Sequence, residues 1–217
     1  LNYIQQTEQP NKELLLGINS NLGVPDKLID RFISDIRKIL DEGRIRKIEL
    51  YTSAEAWDKR NDYIRYGMNY LNWVNNLEKV IKALPEVPIT MMCAYNALSI
   101  SSFTMFLKDI ELIREKYGKD CVYVDIPYVR HPNFMDCKIM NEGYMIKESW
   151  IYMQKSKWFD DDETAKMERI YKYWEHNQKF DHSKARNDLK VYLRELDKRR
   201  NTNFRSTFPE FEDYYHG

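Results

Sequence analysis

No apolar run in the 217-residue chain approaches the roughly 20 residues needed to span a bilayer, and no charged-then-apolar pattern opens it. The expectation is a chain with no membrane partner. An excess of one charge is also missing, since 34 Lys+Arg balance 34 Asp+Glu. That balance argues against general nucleic-acid binding, although a local basic patch is compatible with it. Cysteine is scarce: Cys93, Cys121 and Cys137 form no CxxC, CxxxCxxC or zinc-finger spacing. Such spacing gives no support to a metal site built on these three alone. With an odd count and no secretion pattern they read as free thiols of a cytoplasmic protein. Phosphate loop, dinucleotide glycine fingerprint and nucleophile elbow are absent too.

What is present suits one domain, or one domain with a smaller appendage. Hydrophobic residues make up 43% and aromatics 14%, enough for a sizeable core. The first residue is Leu1, not Met, so the chain reads as a piece of a longer protein.

Four short apolar runs, Leu14–Asn19, Arg46–Thr52, Pro88–Tyr95 and Cys121–Ile126, alternate with amphipathic stripes. The stripes are Leu28, Phe32, Ile36 and Ile39 after Pro25; Leu71, Val74, Leu77, Ile81 and Leu84 before Pro85; and Phe103, Phe106, Leu107, Ile110 and Ile113. Ser101 or Ser102 is placed to cap the third helix, and Gly118 to end it. Strand, helix, strand at such steps predicts parallel βα units. From about Asn141 the pattern turns to helices alone, with stripes at Met167, Ile170, Tyr171 and Trp174 and at Leu189, Leu193 and Leu196. Four units could make a small doubly wound sheet or part of a barrel. The apolar first run would be a liability as an uncovered edge, which favours the cut barrel. The expected fold is therefore α/β: a partial TIM-type barrel of four parallel βα units over residues 1–140, with a helical extension over 141–217.

Each run grows polar on one face toward its C-terminal end. Asn19 and Asn21 do so on the first, Ser53 and Glu55 on the second, Thr90 and Asn96 on the third, and Tyr123 and Asp125 on the fourth. Parallel βα folds bind ligands outside the carboxyl ends of their strands, so the coincidence points to a site. Taken singly, each residue also suits a loop; Asn19 and Asn21 precede Gly23 as turn formers would. Arg60, Arg65 and Arg130 lie nearby, and a carboxylate with a separate guanidinium suits a zwitterionic amino acid. Arg60 and Arg65 equally suit a solvated helix face.

"FDDDE" (159–163) lacks the glycine and spacing of a calcium loop and reads as the cap of the helix that follows. His176 and His182 are spaced poorly for one helix face. "DKRRNTNFR" (197–205) could hold phosphate, but the acidic "PEFED" after it makes internal pairing as good a reading.

"ELLLGINSNLG", "YTSAEAWDKRNDYIRYGMNYLNWVNNLEKV", "PITMMCAYNALSI" and "VYVDIPYVRHP" resemble the third to sixth barrel strands of radical SAM proteins. The likeness includes a serine and an acid two apart, then I-R-x-G and W-x-x-N-x-x-K-V. "DKRRNTNFRSTFPEF" is similar to the C-terminal end of the members that carry a twitch domain. The resemblance implies S-adenosylmethionine as cofactor. Ser53 would meet its ribose and Glu55 its amino group, with Arg65 and Asn96 toward the methionine carboxylate. Backbone near Tyr128 and Val129 would sit by adenine, and Asn19 would close the first strand beside the cofactor.

The same resemblance implies a [4Fe–4S] cluster, yet the CxxxCxxC loop and the glycine-rich motif of the second strand are not in this chain. Their expected home is the N-terminal half of the same protein, the implied partner. The auxiliary-cluster cysteines of the twitch region have no counterpart, and Asn201 stands where Gly is expected. The implied activity is reductive cleavage of S-adenosylmethionine and hydrogen abstraction from an unknown substrate, a peptide or a small molecule. This portion alone would be inactive. The competing expectation is a non-catalytic α/β-helical interaction module.

Overall fold

The four apolar runs fold as parallel strands because each segment between them returns through an amphipathic helix. In chain order, α1 (Asn2–Gln6) precedes β1 (Asn11–Asn19), α2 (Asp26–Asp41), β2 (Ile45–Thr52), α3 (Lys59–Ile64) and α4 (Tyr70–Ala83). Then come β3 (Ile89–Met92), α5 (Phe103–Tyr117) and β4 (Tyr123–Asp125). Helices α6 (Gly143–Lys155), α7 (Asp161–Asn177), α8 (Ser183–Arg200) and α9 (Phe204–Thr207) follow. The computed structural model describes residues 1–7 and 9–215. No helix among the described residues is long and apolar enough to cross a membrane.

The sheet is ordered β1-β2-β3-β4 and every pair is parallel. Asn19 stands opposite Tyr51, Thr52 opposite Met91 and Met92 opposite Asp125, so the carboxyl ends line one edge. A bridge between Tyr95 and Tyr128 extends that edge.

The two faces differ as the alternation predicts. Ile48, Leu50, Ile89, Met91, Val122 and Val124 are buried, in one core with Ile36 of α2, Trp73 of α4 and Phe106 of α5. Trp73 Nε1 donates to Thr52 Oγ1 at 3.1 Å, tying α4 to the end of β2. The other face, with Lys47, Glu49 and Tyr51 of β2, Thr90 and Met92 of β3 and Tyr123 and Asp125 of β4, is exposed or half-buried. Its polarity follows from that exposure. On the edge strand β1, Leu15 on the same open side is 55% exposed.

Helix ends follow local chemistry, with one correction. Asn69 caps α4 by accepting from Asn72 N at 2.8 Å, and Gly43 (φ +57°) follows α2 in the left-handed region. Ser102 precedes α5, but its hydroxyl does not cap it. It accepts from Trp57 N at 3.1 Å instead, bracing the loop after β2.

The helical extension packs on the β4 side through a buried ion pair. Asp160 and Glu163 form a capping box on α7, as expected for "FDDDE". Glu163 does more than cap. Its carboxylate pairs with Arg114 of α5 through both oxygens, and accepts from Val124 N at 2.7 Å. Arg114, 1% exposed, also donates to Val122 O at 2.7 Å and Trp158 O at 2.5 Å. Helix α6 packs on α7 closely enough that a Cβ at Gly143 would lie 2.1 Å from the Trp174 ring.

Candidate functional site

Beyond Thr52 the chain crosses the carboxyl edge of the sheet and turns into α3. Ala54 and Ala56 are buried, and Glu55 between them is 3% exposed. Its N–H donates to Asn61 Oδ1 at 3.2 Å, fixing the loop against α3. Helix α3 ends at Arg65, and Gly67 (φ +88°) lets the chain double back to α4. The turn brings Arg65 Nε to 2.7 Å and Nη2 to 2.6 Å from Glu55 Oε2. Burial pushes the Glu55 carboxyl above its ordinary range, and the Arg65 charge and hydrogen bond pull it partly back.

A cavity of about 560 Å³ opens here, lined by Asn21, Glu55, Arg65, Met68 and Arg200 among others. The "NSNLG" loop is held in place by Asn76 of α4, whose Nδ2 donates to Leu22 O at 2.7 Å and Val24 O at 2.9 Å. The W-x-x-N phrase therefore acts by bracing: Trp73 fixes the end of β2 and Asn76 fixes the loop after β1.

Arg200 arrives from the C-terminal tail, a contribution the sequence reading missed. Asp197 gathers Tyr63 OH at 2.9 Å, Thr202 Oγ1 at 2.8 Å and Phe204 N at 2.8 Å. Phe204, Phe208 and Phe211 are buried, and Tyr63 sits edge-on to Phe204 and Phe208. Arg60 binds Glu210 through two bonds, at 3.0 and 2.9 Å, so it serves this clasp and not the cavity. Asn201 adopts the left-handed conformation (φ 51°) that ends α8, which asparagine tolerates nearly as glycine does. Two cations of the "DKRRNTNFR" segment are paired: Arg199 lies 3.6 Å from Glu195, and Arg205 pairs with Glu212. A signal for Arg200 exists only as the second arginine of that phrase.

The cavity brings Glu55 and Arg65 together, while Asn19, Ser53, Asn96, Tyr128 and Val129 are not among its walls. Asn19 is exposed at the end of β1, and Ser53 is half-buried just past β2. Asn96 is a turn former: Oδ1 accepts from Leu98 N at 2.9 Å and Nδ2 donates to Ala94 O at 3.0 Å. The Val129 N–H is committed to Tyr95 O at 2.8 Å. Tyr128 OH accepts from Arg130 at 2.6 Å, and its ring lies 4.7 Å from that of Tyr173. Asp125 is tied to Lys166 of α7 at 3.0 Å, and the same ammonium holds Asp162.

Among the described residues no three His, Cys, Asp or Glu side chains are grouped so as to hold a metal ion. Cys93 and Cys137 are buried free thiols and Cys121 is half-buried, and burial pushes all three above the ordinary thiol range. Compared with protein-family models, curated proteins and solved structures, the chain finds no match in any of the three.

Proposed function

We propose that this chain is the C-terminal part of a radical SAM enzyme, a partial TIM-type barrel whose Glu55 cavity receives the amino-acid end of S-adenosylmethionine. One observation carries the reading: a carboxylate 3% exposed, at the carboxyl edge of a parallel sheet, faces a cavity and is held by a guanidinium. Burying the Glu55 carboxylate costs solvation that a half-exposed guanidinium offsets only in part, and carboxylates perturbed in this way cluster at functional sites. Arg65 Nε donates to Oε2 and Nη2 lies 2.6 Å from the same oxygen, and no hydrogen bond to Oε1 is formed among the described residues. That oxygen suits a ligand ammonium.

Glu55 would hold the amino group, and Ser53, two residues before it, would reach the ribose. Arg65, together with Asn96, is the carboxylate partner that the resemblance implies. When bound at a reduced cluster, the cofactor supplies hydrogen-abstraction chemistry through reductive cleavage. The thiols of this chain do not fit a [4Fe–4S] cluster, because Cys93 and Cys137 are buried and no metal-holding group is formed among the described residues. The cluster ligands would belong to an N-terminal half, whose strands would extend the sheet past β1.

The coding sequence upstream of Leu1 tests this. The reading expects a CxxxCxxC within about 100 residues, the span of two to three βα units. A start codon immediately before Leu1 would contradict it and favour a non-catalytic interaction module.

A further inference from the structure

The cavity wall holds one carboxylate, Glu55, and two guanidiniums, Arg65 and Arg200. The two arginines are not equivalent. Arg65 is engaged on one side, Nε donating to Glu55 Oε2 at 2.7 Å and Nη2 lying 2.6 Å from the same oxygen. A ligand carboxylate taken through those two nitrogens would leave Glu55 buried without the cation that offsets its desolvation. Arg200 carries no such commitment. Its one hydrogen bond among the described residues is a long contact of 3.4 Å to Tyr63 O, and its guanidinium lies 5.0 Å from the Tyr66 ring. No described carboxylate lies within ion-pair distance of it, whereas its neighbour Arg199 reaches Glu195.

Arg200 is also held where it is. It is the last residue of α8, whose end is fixed by the left-handed Asn201 and by the three bonds to Asp197. A planar guanidinium on a fixed backbone anchor, with its fork largely uncommitted, is suited to two parallel bonds with a carboxylate.

We infer that Arg200, delivered by the C-terminal tail, is the residue that receives the ligand's carboxylate, and that Arg65 is a positioning residue that holds Glu55. This rests on the reading of the cavity as an amino-acid site, and it reverses the role the resemblance gives Arg65. It also gives the tail a part in binding: the clasp around Asp197 delivers a contact to the ligand.

Two probes separate the roles: S-adenosylmethionine, and its analogue that lacks only the carboxylate. Equilibrium binding to the intact protein, N-terminal half included, at up to millimolar ligand is the readout, with circular dichroism checking the fold. The wild type should prefer the carboxylated probe by about 10- to 150-fold, the range of a charge-assisted contact. Arg200→Ala should bring that preference close to one while leaving affinity for the analogue unchanged, and Arg200→Lys should restore part of it. Arg65→Gln should weaken both probes alike, because both carry the ammonium that Glu55 takes. Preference kept in Arg200→Ala and lost in Arg65→Gln would overturn the inference and leave the amino-acid site standing. No binding of either probe to the wild type would overturn both.

Discussion

Arg65 meets Glu55 at a single oxygen, Nε at 2.7 Å and Nη2 at 2.6 Å from Oε2, where α3 ends and the chain doubles back over the carboxyl edge of the sheet. The other oxygen has no described protein donor.

The balance between burial and Arg65 is open to measurement. Burial raises the Glu55 carboxyl and Arg65 opposes it, with burial the stronger. A group whose folded pKa is raised contributes stability below its unfolded value, near about pH 4.3, and loses it as pH rises through the folded value. Wild-type stability minus that of Glu55→Gln, read from urea unfolding across pH, should therefore fall with rising pH. A difference that grows with pH would mean that Arg65 outweighs burial.

Glu163→Ala should destabilise the chain by about 3 to 5 kcal/mol, because it leaves Arg114 charged and unpaired in the core. Arg114→Met combined with Glu163→Leu should recover most of that loss, since apolar replacement of a buried pair is often neutral. Denaturant midpoints check both. A loss under about 1 kcal/mol for the single variant would mean that water reaches the pair, as at a surface bridge.

The sheet is legible in the sequence because one side of it is covered and the other is not. Ile48 and Leu50 had to face helices while Glu49 and Tyr51 could face water, and period-two alternation records that difference. That Glu55 and Arg65 lie together at the carboxyl edge is legible from their place after a strand. Asn96 is ambiguous for a physical reason: its side chain closes a turn, and an asparagine that closes a turn and one that binds a ligand look alike in sequence. Arg114 and Glu163 are 49 positions apart, and no local pattern announces that two charged residues meet in the core. Arg200 is hidden in the same way, since only the tertiary clasp decides which arginine of the pair turns toward the cavity.

The clasp itself makes a prediction. Asp197→Ala removes the acceptor for Tyr63 OH, Thr202 Oγ1 and Phe204 N. Each bond to a charged group is worth about 1.5 to 3 kcal/mol, so the loss should be at least that of one bond. Amide exchange should quicken first in residues 200–208 and in α3, ahead of the sheet. Uniform change across the chain would mean that the tail is not a separate clasp.

The claim at the centre is that the Glu55 carboxylate takes a ligand ammonium, and calorimetric titration of S-adenosylmethionine into the intact, cluster-loaded protein and its Glu55→Gln and Ser53→Ala variants, with cluster content verified, tests it directly. Glu55→Gln keeps the shape and removes the charge, so affinity should fall by about 10- to 150-fold. Ser53→Ala removes a neutral bond worth about 0.5 to 1.5 kcal/mol and should weaken binding less. Wild-type affinity in a natively folded Glu55→Gln variant would contradict the account.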